Sequence, residues 1–193
     1  MLRACSKDPW PLGKLAPKVL VNGGNYEFTQ DGARLLSDVL VHITRNSMDH
    51  GLEMPLVRQS KGKAAAGQIE INLEPGPDES LLLIYRDDGQ GLGLDSILKK
   101  ARAEGLLNSD DQPEPMMLAQ FIFAGSFSTR QEVSKNSGRG VGMSAVQHTL
   151  KSHGGSIRID LLEDCGIAPT PFQFVLTLPK QFYSQAVDWR RVD

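Results

Sequence analysis

The sequence predicts an α/β (α+β) fold of two layers, in which a mixed β-sheet packs on helices. Three observations lead to this prediction. Strand alternation and helical apolar spacing both occur along the 193 residues. They follow the order strand, helix, hairpin, helices, hairpin, which suits a layered sandwich around one core. The strict alternation of strand and helix that a Rossmann domain needs is missing.

In the first half of the chain we predict a strand over residues 18–22. A helix follows it and begins near Asp31 as the N-cap. Its apolar stripe repeats at helical spacing and consists of Leu36, Val39, Leu40 and Ile43. A polar loop over 54–67 then leads to a hairpin. One strand of the hairpin alternates over 68–74, and the other is a continuous apolar run over 81–85, which we expect to be central.

The second half is predicted to contain three helices and a second hairpin. The helices cover residues 95–104, 116–123 and about 141–152. Gly154 and Gly155 end the last of these helices. Alternating apolar residues predict the two strands of the hairpin over 156–162 and 172–178.

The composition is that of one globular domain, with 40% hydrophobic and 23% charged residues. The net charge of −2 gives no electrostatic reason to bind nucleic acid or an anionic membrane. No apolar run reaches the roughly 20 residues of a membrane helix, and the N-terminus lacks the apolar segment of a secretory signal. Cys5 and Cys165 are isolated, as expected of unpaired thiols in a reducing compartment. We therefore expect a cytoplasmic chain without membrane or nucleic-acid contact.

Glycine is the one compositional outlier, with 19 residues, or about a tenth of the chain, where about 7% is usual. The excess lies in short blocks that also carry polar side chains. In chain order, the four blocks are residues 42–51, 87–91, 127–129 and 137–143. We consider each of them as part of a possible nucleotide site.

The first block places four polar side chains within an arc of about 100° on the first helix, beside its apolar stripe. These side chains are His42, Arg45, Asn46 and Asp49. One interpretation is an ordinary solvated helix face. The other is a site for Mg²⁺ and phosphate, in which the amide oxygen of Asn46 suits Mg²⁺ and Arg45 pairs with phosphate oxygens.

The second block, Asp87-Asp88-Gly89-Gln90-Gly91, ends an apolar strand. A carboxylate in this position can accept a hydrogen bond from the exocyclic amine of adenine. Guanine carries a carbonyl there, which a carboxylate repels, so the block offers a physical basis for choosing ATP over GTP. The alternative is a simple strand-ending turn, because Asp-Gly is common in turns.

The remaining blocks suit a phosphate loop and a lid. Residues 137–143 stand at the start of a predicted helix, whose free N–H groups and dipole favour the binding of phosphate. The alternative is that the glycines only form an ordinary loop. This block is not a Walker loop, because no Gly-Lys-Ser/Thr follows. Phe127-Ser128-Thr129 lies in a stretch rich in Gly, Ser and Thr that is typical of a lid or of an exposed linker. Lys100 is either a phosphate ligand or a solvated lysine.

Together, the four blocks resemble the N, G1, F and G2 boxes of the GHKL ATPase superfamily. The match is closest to the ATP-binding domain of chemotaxis histidine kinases of the CheA type, and the segments 99–101 and 104–106 share it. The resemblance extends over about residues 18–180 and implies the GHKL fold with an ATP lid. We expect an irregular lead-in over residues 1–17 and a single domain over 18–180, which includes a lid over about 106–139. A C-terminal linker is expected over 181–193.

The resemblance also implies the cofactors ATP and Mg²⁺ and a role for each matched residue. Asn46 corresponds to the Mg²⁺ ligand, His42 and Asn46 are the catalytic candidates, and Asp87 corresponds to the carboxylate that reads adenine. The implied nucleotide-binding set is Arg45, Asn46, Asp49, His50, Asp87, Gly89, Gly91, Lys100, Ser128, Thr129, Gly138, Gly140, Val141, Gly142 and Met143.

The function that the resemblance implies is transfer of the γ-phosphoryl group of ATP to a histidine on a separate phosphotransfer domain, with a response regulator downstream. Two alternatives stay open: a nucleotide-dependent switch with little transfer, and a serine/threonine kinase of a regulatory protein. The chain shows neither the dimerising helix pair nor the phosphotransfer domain of these kinases. We therefore expect a catalytic module that needs other parts for full activity.

Overall fold

A computed structural model describes residues 13–124, 142–163 and 166–185. Within these residues the strands are β1 (Lys18–Gly23), β2 (Tyr26–Phe28), β3 (Gln68–Pro75), β4 (Leu81–Asp87), β5 (Leu92–Gly93), β6 (Ser156–Leu161), β7 (Pro169–Thr170), β8 (Phe172–Leu178) and β9 (Tyr183–Gln185). The α-helices are α1 (Gln30–Asn46), α2 (Pro55–Ser60), α3 (Leu94–Ala103), α4 (Pro115–Gln120) and α5 (Met143–Ser152).

A five-stranded mixed sheet in the order β1-β3-β4-β8-β6 forms one layer of the domain. β1 pairs with β3 in parallel, and the other three pairings are antiparallel. Both predicted hairpins are present, and β4 occupies the centre of the sheet, where Leu83 and Tyr85 are fully buried. The predicted two-layer fold with a mixed sheet is confirmed.

The helices form the second layer, and a single core joins their apolar faces to the sheet. In α1 the predicted stripe is buried at Leu36, Val39 and Ile43, whereas Leu40 is half-buried. Leu35 is buried as well, because it lies one turn before Val39 on the same face. Within the described residues, no helix is both long and apolar enough to cross a membrane.

The start of α1 differs from the expectation. Thr29, not Asp31, is the N-cap, and its Oγ1 accepts a hydrogen bond from the backbone N–H of Gly32 at 3.1 Å. Asp31 lies in the first turn, where its charge still complements the helix dipole. Both residues are good caps by type, so the choice depends on the backbone of Thr29, which is extended.

Two segments predicted to be irregular are ordered. The polar loop over 54–67 contains α2, which begins at Pro55, because a proline is favourable in the first turn of a helix. The prediction of a linker over 181–193 is wrong for its first residues, because β9 (Tyr183–Gln185) pairs with β2. Phe182 and Tyr183 are buried there, and Tyr183 donates a hydrogen bond to the carbonyl of Glu79 at 2.6 Å.

The segment expected to form a lid, about 106–139, is divided. Its residues 115–123 form α4 and a 3₁₀ turn, where Leu118 and Ala119 are fully buried in the core. These residues are therefore part of the domain body, as the predicted helix over 116–123 implies. Residues 125–139 lie outside the described residues.

Candidate functional site

The polar face of α1 continues into a π-helical turn over Ser47–Gly51. The turn is closed by the N–H of Leu52, which donates to the carbonyl of Ser47 at 2.7 Å, five residues back. His42, Asn46 and Asp49 are half-buried on this part of the chain, and Arg45 and His50 are exposed. π-turns of this kind are frequent at functional sites, because they change which side chains face a neighbouring element.

The π-turn contacts the turn that ends β4, residues 87–91, which we call the base turn. Ser47 Oγ donates to Asp87 Oδ2 at 2.5 Å, and the backbone N–H of Gly89 donates to Asp87 Oδ1 at 3.0 Å. Backbone and side-chain nitrogens of Gln90 also donate to the carbonyls of Gly51 and His50, at 2.9 and 2.8 Å. Both oxygens of the half-buried Asp87 carboxylate are thus fixed in direction.

A buried tyrosine completes a hydrogen-bond relay to this carboxylate. Tyr85 OH donates to Ser47 Oγ at 3.1 Å, and both residues are almost fully buried. Burial raises the pKa of Tyr85 to about 12, and the negative charge of Asp87 adds to this rise, whereas hydrogen bonds with Ser47 and Thr44 act against it. Tyr85 therefore remains a proton donor at neutral pH, and Ser47 can direct its own proton to Asp87.

The glycines of the base turn are required by close approach and by backbone conformation. A Cβ atom on Gly89 would lie 2.3 Å from the carbonyl oxygen of Gly51, so the two turns could not pack as they do. Gly91 has a φ of +84° and would place a Cβ atom 2.7 Å from the carbonyl oxygen of Thr170. Glycine alone fits both positions without strain.

On the other side of the candidate site, Asn46 joins α1 to the start of α5. Its Nδ2 donates to Met143 Sδ at 3.1 Å. His42, one turn earlier, lines a pocket of about 280 Å³ between α1 and α5, together with Asp38 and Thr149. Gly142 precedes α5 in extended conformation as its N-cap. The structure thus brings Asn46 and Met143 together, although they are 97 residues apart in the chain.

No group of three or more His, Cys, Asp or Glu side chains within residues 13–124, 142–163 and 166–185 is arranged to hold a metal ion. A Mg²⁺ ion that bridges phosphates is bound differently, through one or two protein oxygens, phosphate oxygens and water. The side chain of Asn46 fits this role, because its amide nitrogen bonds Met143 and its Oδ1 is a hard oxygen ligand.

For several residues of the expected site, the structure gives no contact with Asp87, Asn46 or their neighbours among the residues that it describes. Lys100 lies on α3 and forms an ion pair with Glu104 at 3.7 Å, so its contact with phosphate stays a prediction. The remaining expected residues lie outside the described part of the chain, and they are Ser128, Thr129, Gly138, Gly140 and Val141.

Two residues next to the base turn carry no functional assignment from the sequence. Ser47 stands directly after Asn46 in the sequence, and its contact with Asp87 becomes visible only in the folded chain. Arg58 lies in α2 with 1% of its surface exposed, and its guanidinium donates to Asp88 Oδ2 at 2.7 Å. The start signal of α2 at Pro55 is readable from the sequence, but nothing local indicates that an arginine of this helix is buried.

Comparison with known proteins gives a consistent result. The family model described as "Histidine kinase-, DNA gyrase B-, and HSP90-like ATPase" matches residues 32–181. The protein "Chemotaxis protein CheA" of Halobacterium salinarum is 35% identical over 163 residues, which cover 83% of this chain and 23% of that protein. The protein of the same name from Bacillus subtilis is 37% identical over 133 residues, which cover 68% of this chain and 20% of that protein.

The chain therefore spans 20% to 23% of the length of these two curated relatives. Among solved structures, the mycobacterial sensor histidine kinase MprB aligns with a TM-score of 0.49 at 15% identity, over 84% of this chain and 82% of that one.

Proposed function

This chain belongs to the family of histidine kinase-, DNA gyrase B- and HSP90-like ATPases, and on that premise we propose that it is the ATP-binding catalytic module of a chemotaxis-type histidine kinase. The observation that carries the proposal is the Asp87 carboxylate, which is held between Ser47 Oγ and the N–H of Gly89. This carboxylate lies beside the polar face of α1, where phosphate and Mg²⁺ ligands are expected.

Base recognition follows from the acceptor capacity of Asp87. An ionised carboxylate has about four lone-pair positions, and two of them accept the hydrogen bonds from Ser47 and Gly89. The remaining capacity suits the exocyclic amine of adenine. A guanine carbonyl at the same place would face a carboxylate that cannot donate a hydrogen bond, so ATP is preferred over GTP.

The phosphate side acts by charge and position. We assign Asn46 Oδ1 as the protein ligand of Mg²⁺, and the bound ion supplies positive charge against the phosphate oxygens. Arg45 pairs with phosphate oxygens, and the N–H groups at the start of α5, after Gly142, add further donors. His42, beside the pocket between α1 and α5, is our candidate for moving a proton at the acceptor histidine.

The proposed reaction is transfer of the γ-phosphoryl group to a histidine of a separate phosphotransfer domain, from which a cytoplasmic response regulator receives it. Phosphoryl transfer asks the protein mainly to align donor and acceptor and to stabilise charge. A module of this kind needs no phosphoacceptor histidine of its own.

The direct test is incubation with Mg²⁺ and γ-labelled ATP, with and without histidine-containing phosphotransfer domains. We expect acid-labile, base-stable label on the added domain only. The Asn46→Ala variant serves as the control that retains the fold and loses transfer. ATP binding without transfer to any such domain would instead favour the nucleotide-dependent switch, and absence of ATP binding by the wild type would contradict both.

A further inference from the structure

Arg58 is the most completely buried charged side chain in the described residues. Its guanidinium makes four hydrogen bonds, to Ala64 O at 2.8 Å, Glu53 Oε2 at 3.2 Å, Asp88 O at 3.3 Å and Asp88 Oδ2 at 2.7 Å. Two of the four bonds end on the base turn. Burial of a cation is costly unless it is paired and hydrogen-bonded in this way, so the position of the guanidinium is strongly determined.

Glu53 and Lys63 extend this contact. Glu53 accepts hydrogen bonds from Arg58, from Lys61 at 3.1 Å and from Lys63 at 3.2 Å. Burial raises the pKa of Glu53, but hydrogen bonds from Lys61 and Lys63 lower it to about 2, so the carboxylate stays charged. Lys63 Nζ in turn donates to the carbonyls of Asp88 and Gly89 at 2.9 and 2.8 Å. We call Glu53, Arg58 and Lys63 the clamp.

The clamp and Asp87 bind opposite ends of one peptide group. The carbonyl of Asp88 and the N–H of Gly89 belong to the same planar unit. The carbonyl accepts from Arg58 and Lys63, whereas the N–H donates to Asp87 Oδ1 at 3.0 Å. Because the unit is rigid, rotation at the carbonyl end would turn the N–H away from the Asp87 carboxylate.

We propose that Arg58, oriented by Glu53 and assisted by Lys63, is a positioning residue for base recognition that aims the Asp87 carboxylate through the Asp88–Gly89 peptide group. This inference rests on the proposed function of Asp87 as the group that reads adenine. A purely stabilising role explains the arrangement less well, because a buried ion pair adds little net stability compared with apolar residues of similar size. The geometry of the hydrogen bonds from Arg58, in contrast, determines which backbone conformation the base turn adopts.

The test measures the affinities for Mg²⁺·ATP and Mg²⁺·GTP by calorimetry in the wild type and in Arg58→Lys. Lysine keeps the charge but cannot reach Ala64, Glu53 and both acceptors of Asp88 in one fork-shaped geometry. We expect the ATP-to-GTP affinity ratio to fall by roughly tenfold, the usual worth of a charged hydrogen bond. The matched control is Arg158→Lys, at an exposed ion pair with Asp160 on β6, and it should leave the ratio unchanged.

A second variant keeps the inference testable if Arg58→Lys does not fold. Asp88→Asn changes an exposed side chain, whose two oxygens accept from Arg58 at 2.7 Å and from the backbone N–H of Gln68 at 2.8 Å. The variant removes the charge and replaces one of these acceptors with a donating amide nitrogen, and because the site is open to water the fold should persist. Asp88→Asn should lower the ATP-to-GTP affinity ratio, but by less than Arg58→Lys does. It should also accelerate hydrogen exchange of the Gly89 amide, which NMR spectra measure. Folded variants with the wild-type ratio, even at a lower melting temperature, would overturn the positioning role alone. A wild type that shows no preference for ATP would instead overturn the proposed function.

Discussion

The two sides of the candidate site are built differently. On the base side, both oxygens of Asp87 already accept hydrogen bonds, and the base turn is bonded to the π-turn and to the clamp. On the proposed phosphate side, among the residues that the structure describes, Arg45 is exposed and His42 and Asn46 are half-buried. A single carboxylate can be oriented in advance by neutral donors and a paired cation. A triphosphate needs several positive groups, whose mutual repulsion would be costly if they were gathered without a ligand.

The largest expected effect is on the phosphate side. Asn46→Ala removes the proposed Mg²⁺ ligand and should abolish Mg²⁺-dependent ATP binding. The fold should survive, because the side chain is half-buried and the hydrogen bond that it donates to Met143 Sδ ends on a weak acceptor. Calorimetry with Mg²⁺ and with a chelator measures the effect, and circular dichroism checks the fold. Unchanged affinity for Mg²⁺·ATP would remove Asn46 from the site.

On the base side, Asp87→Ala should weaken ATP binding by roughly 1.5–3 kcal/mol, the typical worth of a charged hydrogen bond. GTP affinity should change less, so the difference between the nucleotides narrows. Competition against a fluorescent ATP analogue gives both affinities. If the wild type bound ATP and GTP equally well, Asp87 would not be the base reader.

A smaller effect should follow from Ser47→Ala, which removes one of the two donors to Asp87. We expect a loss of about 1 kcal/mol in ATP affinity, because the Gly89 N–H still holds Oδ1. Ser60→Ala is the matched control, since this exposed hydroxyl donates to the carbonyl of Val57 in its own helix and lies on α2, away from Asp87 in the sequence. An effect of Ser47→Ala equal to that of Asp87→Ala would mean that the base side is not oriented from two directions.

Glu53→Gln should have the smallest effect on nucleotide binding of these variants. Its main effect should be on how the free energy of unfolding changes with pH. The pKa of Glu53 is about 2 in the folded protein and 4.5 ordinarily, so the stability that the wild type gains from this charge is complete above pH 4.5. It is lost as the pH falls from 4.5 towards 2. Urea unfolding of the two proteins across this range should therefore converge at low pH, and a constant difference would contradict the charged state of Glu53.

Local patterns were sufficient for most of the fold. Alternation identified β3, β6 and β8, and helical spacing identified α3 and α5, each within a few residues of its ends. Helical spacing also identified α1 and placed its beginning within a few residues. The misses have physical reasons. α2 is a short helix of six residues, too short for a periodic signal. β9 has three residues, and its order depends on contacts with distant parts of the chain, namely pairing with β2 and the hydrogen bond from Tyr183 to Glu79. The cap of α1 depended on the backbone angles of Thr29.

The candidate site divides in the same way. The sequence by itself determined that a carboxylate follows the central strand in a glycine turn and that a polar helix face carries Asn46, because both depend on spacing within one element. Only the tertiary structure decided that Ser47 meets Asp87, 40 residues away, and that Arg58 meets Asp88, 30 residues away. Such partners are selected by how helices, turns and sheet pack together, and the burial that makes Arg58 a positioning group is a property of the packed domain rather than of the residue.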